Sequence, residues 1–267
     1  MWIDSHCHLD SFVDISAVLQ QASVQGVRCF LSIAVGIDNF QSVLPLSLKF
    51  PQVCATAGVH PCYIKKHQLA GLKEWLTECA QNPKVVGLGE TGLDLGLSSP
   101  DLGEQINFFQ VHVDVAVMTG LPLIIHIRDA WEPFLQIVRG WKGKGPKGVL
   151  HCFTGPLDVA QEMIDLGWKV SFSGIVTFKK TEALQQVVQA LPLGSFVVET
   201  DAPWLAPVPF RGKENYPSYL PYTAQKIAEL KGVSESLLAQ STTQAFFDLF
   251  PKTKPYFDGF CSSEQGV

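Results

Sequence analysis

The sequence contains no C-x-x-C pair, no run of about 18 apolar residues, and no surplus of basic side chains. Seven cysteines, mostly set in apolar runs, exclude a disulfide scaffold and read as reduced, buried thiols. With no long apolar run and no basic start leading into one, neither a membrane span nor a secretory leader is expected, and the chain is expected in the cytoplasm. Lys and Arg number 20 against 25 Asp and Glu, a formal charge of −5, so bulk attraction cannot hold a nucleic acid. Any polyanionic substrate must be met locally. A Gly-rich phosphate fingerprint after the first strand is also missing, which argues against a doubly wound dinucleotide-binding sheet. His6-Cys7-His8 stands in its place.

What is present is an alternation of short aliphatic runs and amphipathic stretches in 267 residues that are 46% hydrophobic, enough for one large core. The runs predict strands at Trp2 to Ser5, Cys29 to Ala34, Val53 to Gly58, Val85 to Gly89, Leu123 to Ile125, Gly148 to Leu150, Lys169 to Ser173 and Phe196 to Thr200. Helical patterns fall between them at Ile15 to Gln25, Phe40 to Phe50, Leu69 to Gln81, Gln105 to Thr119, Trp131 to Gly140, Leu157 to Leu166 and Glu182 to Ala190. A last helical region covers Tyr219 to Lys231 and Ser234 to Phe250. Gly26, Pro83, Gly120, Gly167 and Pro192 punctuate the pattern. Eight such units spaced like βαβ repeats describe an α/β fold, a single-domain (β/α)8 TIM barrel. Residues 202–221, rich in proline, are expected as an active-site loop, and 251–267 as a loosely held tail. No obligate protein partner is evident.

In such a barrel every strand's C-terminal end opens on one face, so ligand-type residues placed there converge. His6 and His8, two apart on a strand, point the same way, and two neutral imidazoles can share a cation. Glu90, His126, His151 and Asp201 follow the fourth, fifth, sixth and eighth strands, and His60 follows the third. Six metal ligands exceed one tetrahedral site. They divide into His6, His8 and Asp201 on one ion and His126 and His151 on a second, with the Glu90 carboxylate shared. Two divalent cations per subunit, of Mg, Mn or Zn, are expected. Glu90 and Asp201 are the catalytic candidates, Asp201 as acceptor of a proton from the attacking water, while Asp94 and Glu199 would orient ligands from behind. His67 and His112 fall in a loop and a helix and carry no expected role, and Cys7 and Cys152 are read as packing residues.

Phosphate would be bound by Arg128, two residues beyond His126, with His60, Lys179, Arg211 and Lys213 as further candidates on nearby loops. Trp204 and Phe210 in the proline-rich loop suit either base stacking or a hydrophobic lid.

The motifs D-S-H-C-H-L-D at Asp4 to Asp10, G-V-H-P at Gly58 to Pro61, G-E-T-G-L-D at Gly89 to Asp94, H-x-R-D-A at His126 to Ala130, H-C-F-T-G at His151 to Gly155 and E-T-D-A-P-W-L at Glu199 to Leu205 resemble those of the TatD family. R-G-K-x-N at Arg211 to Asn215 and P-S-Y at Pro217 to Tyr219 continue the match in order. The resemblance implies a metal-dependent hydrolase of the amidohydrolase superfamily, some of whose members are deoxyribonucleases. Its metal positions fall on the same six residues. The chain departs from the family at Asn215-Tyr216-Pro217, where Asn-Glu-Pro is usual, at Thr242 to Phe247, which lacks an Asn, and at Leu95-Gly96-Leu97. These departures touch substrate loops and leave the metal shell intact. The leading expectation is therefore a two-metal phosphodiesterase acting on DNA or another phosphodiester, a 3′-to-5′ exonuclease of single-stranded ends. The alternative is an amidohydrolase or deacylase of a small molecule, since the same activated water attacks carbonyls. A third, non-enzymatic expectation, a metal-stabilised barrel that binds a partner, is disfavoured by the complete ligand set.

Overall fold

The computed structural model describes residues 1–96, 99–141 and 143–261. Leu97 and residues 262–267 of the expected tail lie outside the described residues. Eight parallel strands follow one another around a barrel in sequence order: β1 (Trp2–Cys7), β2 (Val27–Ser32), β3 (Val53–Ala57), β4 (Val85–Asp94), β5 (Leu123–Arg128), β6 (Gly148–Leu150), β7 (Lys169–Phe172) and β8 (Phe196–Val198). Between and after them run α1 (Ile15–Val24), α2 (Ile37–Lys49), α3 (Leu72–Gln81), α4 (Leu102–Thr119), α5 (Trp131–Gly140), α6 (Leu157–Asp165), α7 (Glu182–Ala190), α8 (Leu220–Lys231), α9 (Glu235–Leu249) and α10 (Lys254–Cys261). The expected (β/α)8 barrel is the observed fold.

The strands are short and almost continuously apolar because each is covered on both faces, by the barrel interior and by the helix ring. Ile3, Leu31, Val86, Ile124, Val149 and Val197 pack inside, whereas Phe30, Val85, Leu123, Leu150 and Val198 pack outward against helices. The barrel closes where β8 meets β1. Thr200 donates from its backbone N–H (3.0 Å) and its hydroxyl (2.6 Å) to the Asp4 carboxylate, and Ser5 Oγ donates to the Val198 carbonyl at 2.9 Å.

Helix limits follow capping chemistry. Asp101 Oδ1 accepts from Glu104 N at 3.2 Å, so α4 begins at Leu102 rather than at Gln105, and Gly120, at φ 72°, ends it. Three strands run past their expected ends, β1 continuing through Cys7, β4 through Asp94 and β5 through Arg128.

The expected loose tail is corrected in part. Lys254–Cys261 form α10, and Phe257 is fully buried beside Phe246 and Phe250, closing the barrel end opposite the C-terminal ends of the strands. The apolar area removed from water there holds the segment in place.

Candidate metal centre

Side-chain parity along a strand would send Cys7, not His6 or His8, to the same face as Ile3. The register between β1 and β2 shifts between Asp4 and Cys7, where three steps on β1 match two on β2. One added residue flips the faces beyond it, so Ile3 points inward below the shift, and His6 and His8 point inward above it while Cys7 packs outside. A second shift, between Leu88 and Thr91 of β4, surrounds Glu90. Gly89 makes that passage possible: at φ 136°, a Cβ there would lie 2.4 Å from the Ile124 carbonyl oxygen. On the regular strand β5, His126 simply follows Ile124 on the inner face.

These devices gather His6, His8, His60, Glu90, His126, His151 and Asp201 at one mouth. Glu90 stands between two groups. Its Oε2 lies 3.4 Å from His6 Nε2 and 3.9 Å from His8 Nε2, while Oε1 lies 3.4 Å from His60 Nε2, 3.3 Å from His126 Nδ1 and 2.9 Å from His151 Nε2. Asp201 Oδ1 faces the first group, 3.6 Å from His6 Nε2 and 3.5 Å from His8 Nε2. All but the His151 contact are longer than the usual N–H···O range of about 2.7–3.2 Å. They suit ligands of a shared cation, since two atoms each about 2.1 Å from a tetrahedral ion stand roughly 3.4 Å apart. Buried His6 carries the same message, for among the described residues neither ring nitrogen has a hydrogen-bond partner. Clusters able to hold an ion include His6, His8 and Glu90, and also His60, Glu90 and His126. The donor set therefore fits divalent metal, and it brings in His60, which was expected only to contact substrate.

Support from behind is explicit. Asp94 Oδ2 sits 2.9 Å from His126 Nε2, and Asp94 itself accepts from Ser99 Oγ at 2.5 Å and Gly96 N at 2.7 Å. Glu199 Oε1 lies 3.3 Å from His151 Nδ1 and accepts from Cys152 N at 2.8 Å, while Ser171 Oγ donates to its Oε2 at 2.5 Å. Each carboxylate fixes the ring orientation of the imidazole in front of it.

Burial opposes charge throughout the centre, and the neighbours decide the outcome. At Glu90, burial pushes the carboxyl up, but the imidazoles of His151 and His60 outweigh it and hold it well below its ordinary range. Burial pulls His151 down, yet Glu90 and Glu199 raise it well above the usual imidazole value. His6 goes the other way, lowered by burial and by His151. An ionised carboxylate beside the neutral His6 ring, whose lone pair is available, suits a cation, and at His151 a bound cation would take the place of the proton.

Two residues of α4 with no expected role hold the loops beneath these ligands. Gln105 donates from Nε2 to the Asp94 carbonyl at 2.8 Å and accepts from Asp94 N at 2.8 Å. His112 Nε2 accepts from Val59 N at 3.1 Å, with Nδ1 2.8 Å from the Phe108 carbonyl. Their signal, polar residues one heptad apart on an otherwise apolar helix face, is weak in a sequence. Cys152 also departs from expectation. At φ 47° it leaves the strand geometry, and it lines the cavity with its sulfur 3.2 Å from Ser173 Oγ. Cys62 is exposed rather than buried.

The cavity above the centre, about 510 Å³, is lined by Val35, Tyr63, Ile127, Ile175, Trp204 and Leu205 besides the polar residues. Arg128 is its cation. Trp204, 52% exposed, meets His8 edge-on at 4.9 Å between ring centroids. Phe210 does not reach the cavity and stacks on Tyr219 at 4.0 Å. Arg211, with its guanidinium 4.3 Å over the Phe178 ring, and the exposed Lys179 and Lys213 are not among the lining residues.

Comparison with known proteins agrees with this chemistry. The family model described as TatD related DNase matches residues 3–251. The uncharacterized metal-dependent hydrolase YcfH of Escherichia coli K12 is 38% identical over 254 residues, covering 93% of this chain and 95% of its own. YabD of Bacillus subtilis, likewise named an uncharacterized metal-dependent hydrolase, is 33% identical, covering 94% and 99%. The crystal structure of YjjV, a TatD homolog from Escherichia coli, superposes with a TM-score of 0.86 at 29% identity, covering 94% of this chain and 98% of that one. An organophosphorus hydrolase mutant shares the fold alone, with a TM-score of 0.62 at 12% identity. Within the described residues no helix is long and apolar enough to cross a membrane. The chain belongs to the TatD family of metal-dependent hydrolases.

Proposed function

We propose that the protein is a phosphodiesterase that uses two divalent cations, drawn from Mg, Mn or Zn, to hydrolyse single-stranded DNA from its 3′ end. The observation that carries the reading is the position of Glu90, with one oxygen toward His6 and His8 and the other toward His60, His126 and His151. A carboxylate so placed suits a bridge between two ions. Cations bound there would supply Lewis acidity and lower the pKa of a bound water.

The chain's own residues do the rest. Asp201, below its ordinary range because His8, His151 and His6 outweigh the effect of burial, is ionised and able to take a proton from the attacking water. Arg128 presents a planar fork to the non-bridging phosphate oxygens. Trp204 offers an exposed ring beside His8, on which a terminal base can stack. The family model's description as a DNase supports the substrate class.

The apolar wall of Val35, Ile127, Ile175 and Leu205 favours a second reading, an amidohydrolase or deacylase of a small neutral molecule. A panel of labelled single-stranded DNA, RNA, model phosphodiesters and amides, assayed with and without added metal, separates the two. The proposal expects metal-dependent release of nucleotides from DNA. Turnover of amides alone would transfer the site to the second reading.

A further inference from the structure

A cavity of about 510 Å³ is the size of a small-ligand site, so an oligonucleotide whose end lies at the centre must pass over the rim. The rim is not uniform. On the side of β7 and β8 two loops lie in contact: Val208 N donates to Thr177 Oγ1 at 2.9 Å, and a Cβ on Gly174 would stand 2.1 Å from the Leu205 carbonyl oxygen. Ile175 and Leu205 of these loops form cavity wall. Immediately beyond them come Lys179 and Lys180 on one loop and Arg211 and Lys213 on the other, all exposed, joined where Arg211 rests over Phe178.

Among the described residues none of these four cations is paired with a carboxylate. The surface ion pairs Lys65–Glu104, Arg139–Glu162 and Lys226–Glu229 lie elsewhere. Glu214, on the same loop, is engaged by the Tyr216 hydroxyl, and Glu182 opens α7 just beyond Lys180. Across the mouth, after β3, Lys65 is neutralised by Glu104 and Lys66 stands 4.9 Å over the Tyr63 ring. In a chain of net charge −5, a local group of unpaired cations at one side of the rim is the place where a polyanion gains most.

Resting on the reading of the centre as a DNA phosphodiesterase, we propose that the loops after β7 and β8 form an extended subsite for the phosphate backbone of single-stranded DNA. Lys179, Lys180, Arg211 and Lys213 would hold the nucleotides that lie beyond the one at the centre. Contacts of this kind are sequence-independent and release counterions, so they give affinity that grows with strand length and falls with salt.

The test compares the metal-loaded wild type with the triple variant Lys179→Gln, Lys180→Gln, Lys213→Gln. Binding of a phosphorothioate thymidine 12-mer is followed by fluorescence anisotropy over a salt series, and hydrolysis is compared for a thymidine dinucleotide and a 12-mer. The variant is expected to bind the 12-mer roughly 100-fold more weakly near 0.1 M salt, with the log–log salt slope reduced by about 2, from three contacts at roughly 0.7 each. Dinucleotide hydrolysis should stay within about twofold, and Lys→Arg at all three positions should restore 12-mer binding. An unchanged slope, or equal losses on the dinucleotide and the 12-mer, overturns the strip while leaving the proposed activity standing. A wild type that cleaves model diesters but neither binds nor cuts any oligonucleotide overturns the DNA reading itself, and the strip with it.

Discussion

Asp94 Oδ2 lies 2.9 Å from His126 Nε2, on the opposite side of the imidazole from the Nδ1 atom that faces Glu90 at 3.3 Å. A ring held this way has one tautomer and one orientation, with the lone pair of Nδ1 directed at the centre. Asp94→Ala should therefore weaken metal binding by roughly 10- to 100-fold without unfolding the barrel. Calorimetric titration of chelated protein with Zn²⁺ checks this, and unchanged affinity would deny Asp94 the orienting role.

Arg128 is the cavity's own cation, two residues beyond His126 on β5. Arg128→Ala should raise KM for phosphodiester substrates by roughly tenfold, the loss of a charge-assisted bidentate contact worth about 1.5 kcal/mol or more. A neutral ester should be little affected. Steady-state kinetics on the two substrates decides it, equal losses speaking against a phosphate clamp.

His112 is fully buried, and burial pulls its imidazole down to about 4 even though the Phe108 carbonyl favours the charged form. The unfolded chain binds this proton near 6.5 and the folded chain near 4, so between these values the unfolded state holds more protons. His112 thus contributes stability that is complete above about 6.5 and is lost as pH falls toward 4. The raised imidazole of His151 acts in the opposite sense, so the readout is the difference from a variant. His112→Leu should flatten the acid-side loss in urea unfolding. At pH 7 it should cost about 1–3 kcal/mol, because the buried Val59 N–H loses its acceptor.

Phe257 of α10 should behave as core. Replacing this fully buried ring with alanine is expected to cost about 3–5 kcal/mol, read as a lower urea midpoint with the slope unchanged. A cost below about 0.5 kcal/mol, the range of surface substitutions, would return the segment to the status of a loose tail.

The barrel and the gathering of the six candidate residues at one mouth were legible because their signals are local. An aliphatic run that stops at His126, His151 or Glu90 names both a strand and the residue at its open end. What was not legible depends on partners far away in the chain. The shift that turns His6 and His8 inward is a property of β1 against β2, and the one at Glu90 belongs to β4 against β5. His60 shares the Glu90 carboxylate only because the β3 loop folds over the centre. Gln105 and His112 look like stray polar residues until the loops they hold are seen. The α10 plug went unread because a short segment after Pro251 shows its apolar face only against Phe246 and Phe250.

In the proposed reading the carboxylate of Glu90 is shared between two cations. Chelated protein titrated with Co²⁺, with bound metal counted by elemental analysis and diester hydrolysis followed in parallel, tests it most directly. Two ions per chain are predicted for the wild type, with activity returning as the second site fills, and Glu90→Gln should lose tight binding at both sites. Full hydrolysis after exhaustive chelation, or a Glu90→Gln variant that still binds two ions tightly, would contradict the account.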